Sequence, residues 1–395
     1  MKGGQTVASE SGVYRKKAYL ILEDGSIYTG SAIGADREVI AEIVFNTSMT
    51  GYQEILTDPS YAGQAVVMTY PLIGNYGVSG EEMESRRPWA EALLVRQFSR
   101  IPSNWHAEGP LQAFLERYDV PGIEGIDTRS LTRHLRDHGT MNGCVTTDCY
   151  AGEALEELLR KIRAYRPAGV VRRTTSREIH TVLPAAGTGA GSAESAAEST
   201  AGNPSGHALR VALLDLGAKD SIVDSLVRRG CEVTVYPAFT PAERILADAP
   251  DGIMLSNGPG DPKEDPGIIR EVRQLCEADI PLFAICLGHQ IVALAEGGDT
   301  YRLGFGHRGG NHPVKDMQTG RTLITTQNHG YAVDAGSFAR GTAEEWFRNL
   351  HDGTNEGLLY PGRRIRTVQF HPEARPGPAD ADGLFDVFME MMEQR

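Results

Sequence analysis

The sequence predicts an α/β protein built as two units: a C-terminal, mostly parallel sheet with helices on both faces, and a separate N-terminal mixed β/α domain. Three observations predict it. The chain has 395 residues, more than one hydrophobic core ordinarily serves. Residues 184–206, "PAAGTGAGSAESAAESTAGNPSG", are almost all Ala, Gly, Ser, Thr and Glu; such a segment buries too little apolar surface to offset the entropy of ordering it, and reads as a linker. After the linker, strand and helix patterns alternate regularly, which they do not do before it. The expected divisions are a disordered tail over 1–17, a first domain over 18–183, the linker, and a second domain over 207–395.

In the first domain, "AYLILEDGSIYTG" reads as two strands around an Asp-Gly turn, and "EIVFNT" and "QAVVMTYP" are further apolar, β-branched strands. "DTRSLTRHLRDHG" has an Asp or Thr cap, a periodic apolar stripe and a closing glycine, and "EALEELLRKIRAY" repeats leucines at helical spacing. In the second, "LRVALLDLG" is a buried strand, "KDSIVDSLVRRG" a helix and "CEVTVYPA" a strand. "ERILADA", "DGIMLSNG", "GIIREVRQLCEA", "IPLFAICLG" and "HQIVALAEGG" continue the series, which predicts a parallel sheet covered on both faces, with ligands at the strands' carboxyl ends.

Composition narrows the function classes. Hydrophobic residues make up 41% and charged ones 23%, a folded profile. The net charge of −13 has no basic block in it, so the electrostatic footprint of a nucleic-acid binder is missing. The N-terminus lacks a signal-peptide core and no eighteen apolar residues run together, so the expected location is the cytoplasm. Five scattered cysteines do not form a disulfide framework. Cys144 and Cys149 lack the rest of a zinc pattern, no metal site is expected, and the glycine-rich loops match neither GxGxxG nor GxxxxGK[ST].

Cys286 ends the apolar strand "PLFAIC" and precedes "LGHQIVALAEGG", with Gly288 two residues on. That arrangement resembles a nucleophile elbow, in which the side chain stands at the sheet's edge beside a helix's positive end. The competing reading is a buried structural thiol. A thiolate nucleophile needs an acid-base partner. His371 closes the strand pattern "RIRTVQFHPEA", with Glu373 two residues away to hold its tautomer; the alternative is a hydrogen-bonded structural histidine. The loop "SNGPGDP", 256–262, lets backbone N–H groups approach a substrate, or is simply a tight turn.

"SNGPGDP", "ICLGHQ" and "FHPE", in that order on a βα series, resemble the class I glutamine amidotransferase family. "FNTSMTGYQEILTDPSYAGQAVVMTYPLIGNYGV", "EGIDTRSLTRHLRDHG", "FGHRGGNHPVKD" and "QNHGYAVD" narrow the resemblance to the carbamoyl-phosphate synthase small-chain family, from residue 18 to the C-terminus apart from the linker. The resemblance implies Cys286 as nucleophile, His371 as acid-base and Glu373 as its orienter. It implies that glutamine is held by Ser48, Gly258, Gly260, Leu287, Gln290, Asn328, Gly330 and Tyr331. Ala284 stands where glycine is usual and Tyr331 where phenylalanine is common. No cofactor is implied in this chain; ATP and Mg²⁺ belong to a large partner chain, in a heterodimer or an oligomer of heterodimers, to which ammonia travels for carbamoyl phosphate synthesis. The rival readings are a glutaminase subunit of another synthase, a stand-alone γ-glutamyl hydrolase, and a non-catalytic binding subunit.

Overall fold

The computed structural model describes residues 6–8, 14–184 and 208–394. The expected linker, apart from residue 184, lies outside the described residues. The tail expected over 1–17 is described only at 6–8 and 14–17. There Thr6–Ala8 pairs antiparallel with the start of the strand Tyr14–Leu22, because backbone pairing continues past the boundary placed at 18.

The hairpin read from "AYLILEDGSIYTG" forms between Tyr14–Leu22 and Ile27–Gly34. Its turn is held by Asp24, which accepts the Ser26 N–H at 2.8 Å, and Gly25 supplies a φ of 92°. Among the described residues the first sheet has eight strands. Since Tyr14–Leu22 pairs with Ile27–Gly34 at the far end of the strand order, the sheet closes on itself. Alternation along Gln64–Met68 sorts its side chains: Ala65 and Val67 pack with Leu131 and Leu135 of the helix Thr128–His138, while Val66 and Met68 face the helices Tyr52–Thr57 and Leu111–Arg117.

The second sheet has ten strands among the described residues. Its parallel core runs Glu232–Pro237, Arg210–Asp215, Gly252–Leu255, Leu282–Ile285 and Ile365–Val368. These strands are buried on both faces, which is why they read as continuous apolar runs. On one face Ala212, Leu214, Ile253 and Ala284 meet Ile245, Val272 and Ile291 from the helices Ala242–Ala247, Pro266–Glu277 and Leu287–Ala295. On the other, Val211, Leu213, Met254 and Phe283 meet Ile222, Leu226 and Phe388 from Asp220–Arg228 and Gly383–Glu393. Antiparallel strands extend this core, above all the long hairpin Asp299–Asp316 and Thr322–Asp334. The hairpin reaches the first domain, where Thr140 N–H donates to Gly304 O at 2.8 Å and Thr47 N–H to Arg308 O at 3.2 Å.

One boundary differs from the sequence reading. His180–Val182, assigned to the first domain, is an edge strand of the second sheet, antiparallel to Glu232–Pro237. Val171 of the helix Val170–Thr174 is buried with Ala212 and Leu214. The chain crosses to the second domain before the linker because Val171 completes its apolar face and His180–Val182 adds backbone pairing at its edge. Among the described residues, no helix is long and apolar enough to cross a membrane.

Phe388 is fully buried and its ring lies 5.9 Å from that of Phe283. Phe388→Ala should destabilise by about 3–5 kcal/mol, seen as a lowered urea midpoint; an unchanged midpoint would show that the C-terminal helix contributes little to this core.

Candidate active site

Four strands of the parallel core end at one edge, and the loops after them carry the site. Cys286 follows Leu282–Ile285 directly and caps the helix Leu287–Ala295, with φ 53° and ψ −105°. An L-residue other than glycine rarely adopts such a backbone, and it costs of order 1–3 kcal/mol. The turn is tight. A Cβ on Gly288 would stand 2.7 Å from Leu255 Cβ and 2.8 Å from Leu255 O. Cys286 N–H donates to Val368 O at 2.8 Å and Gly288 N–H to Ser256 O at 3.1 Å, which pins the elbow to both neighbouring strands. Ala284 packs in the core on one face of the sheet, whereas Cys286 belongs to the cluster on the other. Its methyl group therefore does not press on the thiol.

His371 is 1% exposed, and its backbone N–H donates to Thr326 O at 2.9 Å. Its Nδ1 lies 2.6 Å from Glu373 Oε1, so Nδ1 carries the proton and Nε2 is left for chemistry. Burial opposes charge on this imidazole, yet the Glu373 carboxylate and the neighbouring Cys286 thiol outweigh it and raise its pKa to about 10. Glu373 shows the converse: burial would raise its pKa, but Lys219 and His371 bring it down to about 2. The Cys286 thiol points at Asn328 O, 3.7 Å away.

Lys219 escaped the sequence reading. It is 2% exposed, and its Nζ sits 3.0 Å from Glu373 Oε1 and 3.7 Å from Glu84 Oε2, and also donates to Arg375 O. The available signal was its place in the loop after the strand "RVALLD", at the same carboxyl edge as Cys286 and His371. Asp58 was missed as well: it accepts from Asn328 Nδ2 at 2.8 Å, across the domain boundary. The loop 256–262 is held by Asn257, which donates to Ser60 Oγ at 2.9 Å and accepts the Lys219 N–H at 3.1 Å.

A cavity of about 500 Å³ opens between the domains, within the range of small-molecule sites. Cys286, Gly258, Gly260, Gln290, Asn328, Gly330 and Tyr331 line it, together with Glu42 and Gln64 of the first domain. A Cβ on Gly258 would lie 2.4 Å from Leu216 O, so only glycine fits there. Gln290 is oriented by bonds of 2.9 Å to both Tyr331 O and Gln369 Oε1. Burial and Asp261 push the Tyr331 hydroxyl up to about 12, so it is a hydrogen-bonding phenol at neutral pH. Leu287 is buried beneath the elbow, outside this lining. Ser48 is also outside it. Ser48 lines a smaller neighbouring cavity with Lys219, Asn328 and His371, and its N–H is held by Asn46 Oδ1 at 2.7 Å.

Away from the thiol, His307, His329 and Glu356 place ligand-type atoms within 4.8 Å of one another. His307 lies between Asp352, 2.9 Å away, and Glu356, 3.6 Å away. Burial lowers its proton affinity, but these carboxylates raise its pKa to about 9, so an imidazolium balances the group's charge.

Residues 20–145 match the family described as "Carbamoyl-phosphate synthase small chain, CPSase domain", and residues 212–391 match "Glutamine amidotransferase class-I". The carbamoyl phosphate synthase small chain of Listeria innocua is 47% identical, over 95% of this chain and 97% of its own length. That of Oceanobacillus iheyensis is 46% identical over 96% of each chain. A pyrimidine-specific small chain from Halalkalibacterium halodurans is 44% identical over 95% of this chain and 97% of its own.

Because Cys286 sits at φ 53°, Cys286→Gly should be more stable than Cys286→Ala by about 1 kcal/mol. Thermal denaturation of the two variants compares them directly, and an alanine variant at least as stable as the glycine one would mean that the elbow is unstrained.

Proposed function

Since the chain belongs to the carbamoyl-phosphate synthase small-chain family, we propose that the edge carrying Cys286, His371 and Glu373 is where it hydrolyses glutamine. The chain is the glutamine-hydrolysing subunit of that synthase, with a class I glutamine amidotransferase domain. One observation carries the assignment of roles: an imidazole fixed by Glu373 at 2.6 Å and raised to about 10 by that carboxylate and the adjacent thiol, against the pull of burial. At neutral pH such an imidazole is protonated, and it lies beside the Cys286 thiol.

The Cys286 thiolate attacks the side-chain amide carbon of glutamine, and the amide oxygen becomes an oxyanion. The Cys286 and Gly288 N–H groups are already engaged. The Leu287 N–H, at a helix start without an intrahelical acceptor, and the amides of the Gly258–Gly260 loop are the donors left to hold it. His371 Nε2 gives its proton to the leaving nitrogen, and ammonia departs from a glutamyl thioester. The neutral imidazole then takes a proton from water. The hydroxide attacks the thioester, glutamate leaves, and thiolate and imidazolium are restored. Gly258, Gly260, Gln290, Asn328, Gly330 and Tyr331 hold glutamine in the cavity.

The partner is the large chain of the synthase. ATP and Mg²⁺ act there, on bicarbonate and on ammonia delivered through a protected path. The pair assembles in the cytoplasm as a heterodimer or an oligomer of heterodimers, and its product serves arginine synthesis, pyrimidine synthesis or both. A first domain that matches the small-chain family over 20–145 separates this reading from a stand-alone γ-glutamyl hydrolase, which has no use for it. Ser48 lines the neighbouring cavity, so its contact with glutamine requires the first domain to move toward the sheet edge. Large-chain binding drives that movement.

Cys286→Ser should abolish glutamate release from glutamine while ammonia-dependent synthesis with the large chain survives; hydrolysis at the wild-type rate would sink the assignment. Glu373→Gln removes the anion that raises the His371 pKa, so that pKa falls and the imidazolium is lost at lower pH. The alkaline limb of the glutaminase profile should move down by about one unit or more, and a profile superimposable on the wild type would return Glu373 to a purely structural part. Glutamate release by the isolated chain should be slow and rise on titration with the large chain; a flat titration would defeat domain closure.

A further inference from the structure

Glu84 belongs to the first domain, yet it is buried against the catalytic edge of the second. Its side chain is completely buried. Its backbone carbonyl accepts the Asp220 N–H at 2.8 Å, and its own N–H donates to Thr57 Oγ1 at 2.9 Å. Its carboxylate accepts from Ser221 Oγ, lies 3.7 Å from Lys219 Nζ and 3.9 Å from Arg375 Nη1. Four groups thus form a line of alternating charge through the domain boundary: Glu84, Lys219, Glu373 and His371, the last two steps spanning 3.0 and 2.6 Å.

The order of the groups gives this line its meaning. Burial pushes the Glu84 carboxyl toward its neutral form, and the Lys219 ammonium opposes that push. An ionised Glu84 offsets the ammonium from the side away from Glu373. Without it, the Lys219 charge is balanced by Glu373 alone, and Glu373 does less to hold the proton on His371, which is the weaker base of the two. Asp58 and Glu54 also act on Lys219 and Glu84 through space, but neither pairs directly with the ammonium.

We propose that Glu84 is a positioning residue through which the first domain holds Lys219 against Glu373 and so maintains the imidazolium form of His371. The triad is electrostatically complete only when the first domain is docked. The Glu84 to Lys219 separation is the longest step of the line, and a shift of the first domain on large-chain binding acts on it first. This inference rests on the roles proposed above for Cys286, His371 and Glu373.

The test is the pH profile of glutamate release by the complex with the large chain. Glu84→Gln should lower kcat about tenfold and move the alkaline limb down by about one pH unit, with KM for glutamine within about twofold of wild type, because Glu84 does not line the glutamine cavity. Adding Lys219→Met to Glu84→Gln removes the ammonium that Glu84 no longer offsets and should move the limb back toward the wild-type position. A wild-type limb in Glu84→Gln, or a double variant shifted further than the single one, overturns the proposal. If Glu84→Gln does not fold, Glu84→Asp lengthens the same gap and should shift the limb in the same direction; a wild-type limb there overturns it too. Cys286→Ser separates the two levels: activity in that variant defeats the nucleophile assignment, whereas an inactive serine variant with an unshifted Glu84→Gln profile defeats the relay alone.

Discussion

A single buried ammonium, Lys219, is the point on which the candidate catalytic edge is organised. An amine taken out of water must find anions or lose its proton. Here it finds Glu373 at 3.0 Å and Glu84 at 3.7 Å, one from each domain. Burial alone would lower its proton affinity, but the surrounding carboxylates raise it instead. Removing either anion leaves an uncompensated buried charge, a change of about 3–5 kcal/mol in comparable sites. The same contact fixes Glu373, which fixes His371, which faces the thiol. The geometry of the proposed triad and the docking of the domains therefore share one electrostatic cause.

The elbow is the mechanical counterpart. A parallel strand must end and a helix begin within one residue, and Cys286 takes the positive φ that this demands. Its N–H bond to Val368 O and that of Gly288 to Ser256 O hold the turn there, and the packed Leu255 leaves no space for a side chain at Gly288. The strain persists because neighbouring strands over-determine it. Rigidity at this point holds the buried thiol where the core meets the lining of the cavity.

The first domain is more than a docking platform. Asp58 and Ser60 clamp Asn328 and Asn257, Thr140 and Thr47 bind the backbone of the long hairpin, and Glu42 pairs with Arg302 at the cavity's rim. Each polar group left buried by these contacts would otherwise go unpaired, which costs about 1–3 kcal/mol apiece. The loops at the candidate edge are tied to a second domain and respond to whatever moves that domain. That is the physical route on which the proposed control by a partner chain depends.

Much of this was legible in the sequence, for reasons that are local. Period-two and period-3.6 patterns depend on neighbours along the chain, so the βα alternation of 210–295 and the hairpin around Asp24-Gly25 could be read directly. The motifs at 256–262, 283–290 and 371–373 named the thiol, the imidazole and its carboxylate, since each lies where a strand ends. What only the tertiary structure decided are relations between residues far apart in the chain. Glu84 reaches Lys219 across 135 positions and Asp58 reaches Asn328 across 270, and no periodicity records either. Ser48 shares a smaller cavity with His371 rather than lining that of the thiol, and His180–Val182 joins the second sheet. Sequence pattern determines which face of an element is apolar; which buried charge meets which is settled only when the domains pack, because an unpaired charge in that interior must find its partner through space.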